Sequence, residues 1–173
     1  KIQIEFNPKH VQSYRLIGYE NRKLRPEDFK NDAIDAGELG SGHTVTALYE
    51  IIPTGVESSF NQDIADLKYS EIKIAPKDYS DELATIKFRY KKPDGEKSIE
   101  MIETIKNNVL LLDKTSEDFK FSAAVAWFGL KLRDSKLVTN KTSKDIKALA
   151  LQGKSKDEDG YRSEFIRLVE AVN

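Results

Sequence analysis

The chain has 173 residues, 39% hydrophobic and 33% charged, and its 28 Lys and Arg against 29 Asp and Glu give a formal net charge of −1. That length carries one domain or two small ones sharing an interface, and the charge balance excludes a broadly basic nucleic-acid binder. With no Cys, disulfide scaffolds, thiolate nucleophiles, Cys-ligated zinc and iron–sulfur clusters are excluded as well. No apolar run reaches the roughly 18 residues that a bilayer span needs, so no membrane insertion by this segment is expected.

The chain opens on Lys1-Ile2-Gln3-Ile4-Glu5-Phe6, where apolar and polar residues alternate. Alternation at period two predicts a half-buried strand already under way at the first residue, as expected of a fragment of a longer chain. Ser13–Tyr19 reads as a second strand, and Thr44–Ile52 as a third that Pro53 and Gly55 stop. Leu67–Ile74 is a fourth and Ala84–Tyr90 a fifth, with Ile86, Phe88 and Tyr90 on one face and Lys87 and Arg89 on the other. Pro93-Asp94-Gly95 turns the chain into a sixth, Ser98–Glu103. Short alternating strands separated by turn signals predict an antiparallel, sandwich-like sheet over residues 1–112.

Beyond residue 112 the period becomes helical. Ser116 supplies an N-cap, Glu117 and Asp118 suit the helix dipole, and Phe121, Ala124, Val125, Phe128 and Leu132 form a stripe. A second helix starts at the cap Thr142 or Ser143, buries Ile146, Leu149 and Ala150, and stops at Gly153. After a charged turn, Lys154–Gly160, a third carries Tyr161, Phe165, Leu168, Val169 and Val172. The expected fold is α+β: a sandwich-like sheet over 1–112, then a small packet of about three helices over 113–173, packed against or beside it. The first region carries 16 basic and 19 acidic residues and the second 12 and 10, net charges of −3 and +2. Differences that small are those of two solvated surfaces rather than a steering field.

Candidate sites are few. Residues 31–43 hold the carboxylates of Asp32, Asp35 and Glu38 among Gly37, Gly40 and Gly42, the raw material for a hard-cation or small-ligand loop. The spacing departs from the twelve-residue calcium loop, and glycines in the order G-x-x-G-x-G reverse the dinucleotide fingerprint, so a strand connection whose glycines supply turns is the competing reading. His43 with Glu38 or Glu50 would be an acid–base pair, but it has no nucleophile in frame, and His10 follows a turn-forming Pro8. The run Arg22-Lys23-Leu24-Arg25 is too short for a nucleic-acid patch. Among Phe119, Phe121, Trp127 and Phe128, Trp127 lies beside the core stripe and is the candidate interaction anchor; the competing reading packs it with its indole N–H on a carbonyl.

Four segments carry a resemblance. Tyr14–Arg22 with Asp28-Phe29 and Asn31-Asp32, Asp35–Glu50, the F-x-x-A-V-A-x-F-G-x-x-L-R-D-S stretch ending at Ser135, and Tyr161–Val169 together resemble the C-terminal domain of bacterial von Willebrand factor type A (VWA) domain proteins. The resemblance covers essentially the whole chain and implies that a VWA module precedes it. The D-x-S-x-S metal motif of that module is absent here, since Asp78-Tyr79-Ser80-Asp81-Glu82 fails at its last position. A divalent cation is therefore expected only in the upstream module, and no catalytic or cofactor-binding residue is assigned to this segment. The resemblance implies a non-catalytic accessory domain that supports or orients its own VWA module and binds a further, unknown protein partner. It also implies an exported cell-envelope protein, periplasmic or surface-anchored. The alternative function is a cation or small-ligand module built on the 31–43 loop.

Overall fold

The computed structural model describes residues 1–19, 21, 23–34, 37–58, 79 and 81–172. Its elements are β1 (Ile2–Phe6), β2 (Val11–Ile17), β3 (Leu48–Pro53), β4 (Glu82–Tyr90), β5 (Ile99–Lys106), α1 (Glu117–Leu132), α2 (Ser143–Gln152) and α3 (Tyr161–Ala171). The fold is α+β, with two antiparallel sheets followed by three helices. The expected strand over 67–74 lies outside the described residues. The third strand is shorter than its alternation predicts, starting at Leu48 rather than Thr44. Residues 44–47 are exposed, so no packing enforces their β preference.

The chain divides into two compact units, Lys1–Val45 with Tyr49–Asn108, and Thr46–Leu48 with Val109–Asn173. In the first, β4 is the central strand of an antiparallel sheet ordered β1-β4-β5, and β2 and β3 form a two-stranded sheet. Ile2 pairs with Phe88 and Ile4 with Ile86 across β1 and β4, while Phe88 pairs with Met101 and Arg89 with Glu100 across β4 and β5. Opposed residues share a face, so one side of this sheet gathers Ile2, Ile4, Phe6, Ile86, Phe88, Met101 and Ile105, and the other gathers Lys87, Arg89 and Glu100. Phe6 meets Tyr14 of β2 at 4.6 Å and Tyr49 of β3 at 5.6 Å between ring centroids. Val11, Phe29 and Ala84 are its buried apolar residues among those described.

Among the described residues, the helical unit holds more of the buried apolar side chains. Ala124, Leu149, Ala150 and Ile166 form one cluster and Phe128, Ile146 and Val169 a second, with Trp127 and Phe165 touching both. The Phe165 ring lies edge-on to Phe121 and Phe128, at 5.3 and 5.6 Å. Ser116 caps α1 and Thr142 caps α2, each accepting a backbone N–H with its side-chain oxygen. Gly153 ends α2, and a Cβ there would stand 2.4 Å from the Phe121 backbone nitrogen and 2.6 Å from the Glu117 carbonyl. The bare backbone is what lets α1 and α2 approach at this point.

Candidate functional site

The densest polar arrangement joins the start of the 31–43 loop to the β4–β5 hairpin. Arg89 reaches Asp32 from β4, with Nη2 at 3.0 Å from Oδ1, and its Nη1 lies 3.3 Å from Glu100 Oε2. Ser98, just before β5, donates its backbone N–H to Asp32 Oδ2 at 3.2 Å and its hydroxyl to Oδ1. Lys91 donates to the Asp32 carbonyl at 2.8 Å, and Lys1 Nζ donates to the carbonyls of Asp28 and Asn31. The guanidinium carbon of Arg89 stands 5.9 Å from the ring centre of buried Phe29, and its Nε has no hydrogen-bond partner among the described residues. Hydrogen bonds from Ser98, first by its hydroxyl and then by its amide, together with Arg89, hold the Asp32 carboxyl well below the usual carboxylate range.

This geometry bears on each candidate residue. All the groups that hold Asp32 favour its anion, but they occupy it within the protein. Asp35 lies outside the described residues, Glu38 is exposed, and no group of three His, Asp or Glu side chains placed to hold a metal occurs among the described residues. His43 is exposed, its backbone N–H closing a turn on the Gly40 carbonyl at 3.1 Å, while Glu50 pairs with Arg15. Trp127 is half-buried, packs on both helical clusters, and donates its indole N–H to the Asn140 carbonyl at 2.7 Å.

Sequence reasoning missed two residues that organise their units. Arg89 is one; the signal available for it was its place opposite Glu100 in the predicted hairpin. Arg162 is the other. It donates to the Gly153 carbonyl at 2.6 Å, pairs with Asp118, and lies 4.9 Å from the Phe121 ring centre, so one side chain of α3 fastens α1 and the end of α2. Nothing local in the sequence marks that contact.

Exposed apolar surface is the other prominent feature. Val109, Leu110, Leu111 and Leu112 are consecutive and 87%, 64%, 73% and 47% exposed. Every residue of β5 is exposed, including Met101 and Ile102.

Two antiparallel sheets followed by a three-helix packet, with no described metal cluster, define an α+β domain whose family comes from comparison. Residues 1–173 match the family described as "Uncharacterized protein YfbK, C-terminal", and the chain belongs to that family. A relative is the "Uncharacterized protein YfbK" of Escherichia coli (strain K12), 44% identical over 174 residues. The match takes in 100% of this chain but 29% of the relative's length. No solved structure matches.

Proposed function

We propose that this is a non-catalytic accessory domain that supports or orients an upstream VWA module in a bacterial cell-envelope protein, by protein–protein contact. The observation that carries the reading is the exposed quartet Val109–Leu112. Single exposed apolar side chains are ordinary on a protein surface, whereas a contiguous run held in water marks an interaction site. The chain covers 29% of its E. coli relative, which leaves ample length there for another module, and the upstream VWA assignment and the envelope location rest on the sequence resemblance. The perturbed carboxylates fit a structural role: Asp32 and Asp157 are held by groups that fasten loops and a helix end. No cofactor is assigned to the domain.

The test is calorimetric titration of this chain with the part of E. coli YfbK that precedes the matched region. Binding is expected, and the double variant Leu110→Ser/Leu111→Ser is expected to weaken it by about tenfold or more, since burying each leucine contributes about 1.5–3 kcal/mol. No heat of binding, or an affinity that the double variant leaves unchanged, overturns the reading.

A further inference from the structure

The backbone of β5 offers a second surface, distinct from the apolar quartet. Arg89 donates its N–H to the Lys1 carbonyl at 2.8 Å, and Asn7 donates to the Leu83 carbonyl at 2.8 Å. Odd-numbered residues of β4 therefore bond toward β1, and even-numbered ones bond toward β5. Through the register, the β5 residues bonded to β4 are Ile99, Met101, Glu103 and Ile105. Glu100, Ile102, Thr104 and Lys106 turn their amides outward. Two ends of this outward row are already occupied: the Ser98 amide is bonded to Asp32, and the Lys106 carbonyl accepts from Asn108 at 2.9 Å. Between them, Glu100, Ile102 and Thr104 present their backbone groups without a partner among the described residues.

Edge strands are usually kept short, broken by proline, bulged or charged, because a long regular edge is a template for another strand, and β5 sets Glu100, Glu103 and Lys106 among its apolar residues. β5 runs eight residues with no Pro, against five for the opposite edge, β1. We propose that the outward edge of β5 pairs antiparallel with β5 of a second copy of this chain, with Glu103 on the twofold axis. The proposal rests on the reading of this protein as an interaction domain and names one partner for it.

Charge and apolar matching select the register. A twofold axis normal to the sheet keeps faces together, so each residue meets one of the same parity. With Ile102 on the axis, Met101 would face Glu103 and Glu100 would face Thr104. With Thr104 on the axis, Glu103 would face Ile105 and Ile102 would face Lys106. With Glu103 on the axis, Glu100, whose carboxylate also meets Arg89, faces Lys106 twice, Met101 faces Ile105 twice and Ile102 faces Thr104 twice. The opposing element is one Glu103–Glu103 contact, a like-charge pair that limits the affinity.

Sedimentation velocity from about 5 μM to about 1 mM tests the pairing, a range suited to a weak association. A reversible monomer–dimer equilibrium is expected. Ile102→Pro removes an outward N–H and leaves the bonds to β4 intact, so it should abolish the dimer with the far-UV circular dichroism unchanged. Lys106→Glu, which sets Glu against Glu at both ends, should weaken the dimer without touching the backbone, and it keeps the test sound if the proline variant misfolds. Glu103→Gln should tighten it about two- to fivefold. A chain monomeric to the top of the range overturns the proposal, as does a dimer that Ile102→Pro, folded, and Lys106→Glu leave unchanged. The Leu110→Ser/Leu111→Ser variant should still dimerise, so loss of self-pairing and loss of binding to the upstream region are separate results.

Discussion

At the residue scale, Asp32 shows how a loop carboxylate that reads as a cation ligand becomes a fastener. Its two oxygens accept from Arg89 and from the Ser98 amide and hydroxyl, which ties the loop to both strands of the β4–β5 hairpin at its turn end. A carboxyl held below its ordinary range stabilises the fold fully above the unfolded aspartate value of about 3.9, and that contribution is lost as pH falls below it. Asp32→Asn is therefore expected to lower stability at neutral pH and to shrink the loss seen between neutral pH and about pH 3, both measured by urea denaturation followed by circular dichroism. An acid dependence identical to the parent's would contradict the assignment. Gly153 makes a different kind of prediction. Its φ of −99° is open to any residue, so the reason for glycine is proximity, not backbone freedom. Gly153→Ala would put a methyl against the backbone of α1, and a loss of about 1–3 kcal/mol or more follows from overpacking. Trp127, the one tryptophan of the chain, lies between the clusters that would shift, so its fluorescence during denaturation is the measure.

At the scale of elements, the three helices were legible in the sequence because caps and stops are local chemistry. Ser116 accepts the Phe119 amide at 3.1 Å and Gly153 closes α2 as the sequence reads, and of the two caps the sequence offers for α2 it is Thr142 that accepts the Asp145 amide, at 3.3 Å. The start of α3 was not legible. Gly160, at φ +76°, precedes it and offers no side-chain cap. Asp157 does the capping from inside the charged turn, accepting the Arg162 amide at 3.0 Å and the Ser163 amide and hydroxyl at 2.7 Å. A carboxylate three residues before the usual cap position looks like one more solvated charge in a turn that also holds Glu158 and Asp159. The Ser163 hydroxyl, then the Arg162 and Ser163 amides, draw the Asp157 carboxyl below its usual range. The helical unit should lose stability as pH falls below about 3.9, the side on which a depressed carboxylate gives up its contribution. Asp157→Asn should flatten that dependence in Trp127-monitored melts at stepped pH; an unchanged slope would remove Asp157 as the cap. The strands were legible in type where alternation is strong, as in β1 and β4. The order of strands in each sheet was not, because it is set by long-range pairing that no local pattern records.

At the scale of the whole molecule, buried apolar surface is unevenly shared among the described residues. Ala124, Phe128, Ile146, Leu149, Ala150, Ile166 and Val169 are buried in the helical unit, and Ile146 and Val169 are its largest fully buried side chains. The strand unit buries Val11, Phe29 and Ala84, and much of its sheet's apolar side stays half-exposed. Resistance to local opening follows buried contacts, so the slowest native-state amide exchange is expected in α1, α2 and α3 around those residues, with the strands exchanging by smaller openings. Within β5 the pattern should alternate at dilute concentration: the amides of Met101, Glu103 and Ile105 bond to β4 and exchange slowly, while those of Glu100, Ile102 and Thr104 face outward and exchange fast. Exchange resolved to single amides by NMR reads both levels in one experiment. Amides of β5 as slow as the core of α1 would mean that the strand unit holds a larger stabilising core than its burial indicates, and equal rates along β5 would reverse the orientation assigned to its backbone. Ion pairs such as Arg89–Asp32 and Arg162–Asp118 fasten loops and helices within each unit, and the near-zero net charge leaves no broad field to steer a partner.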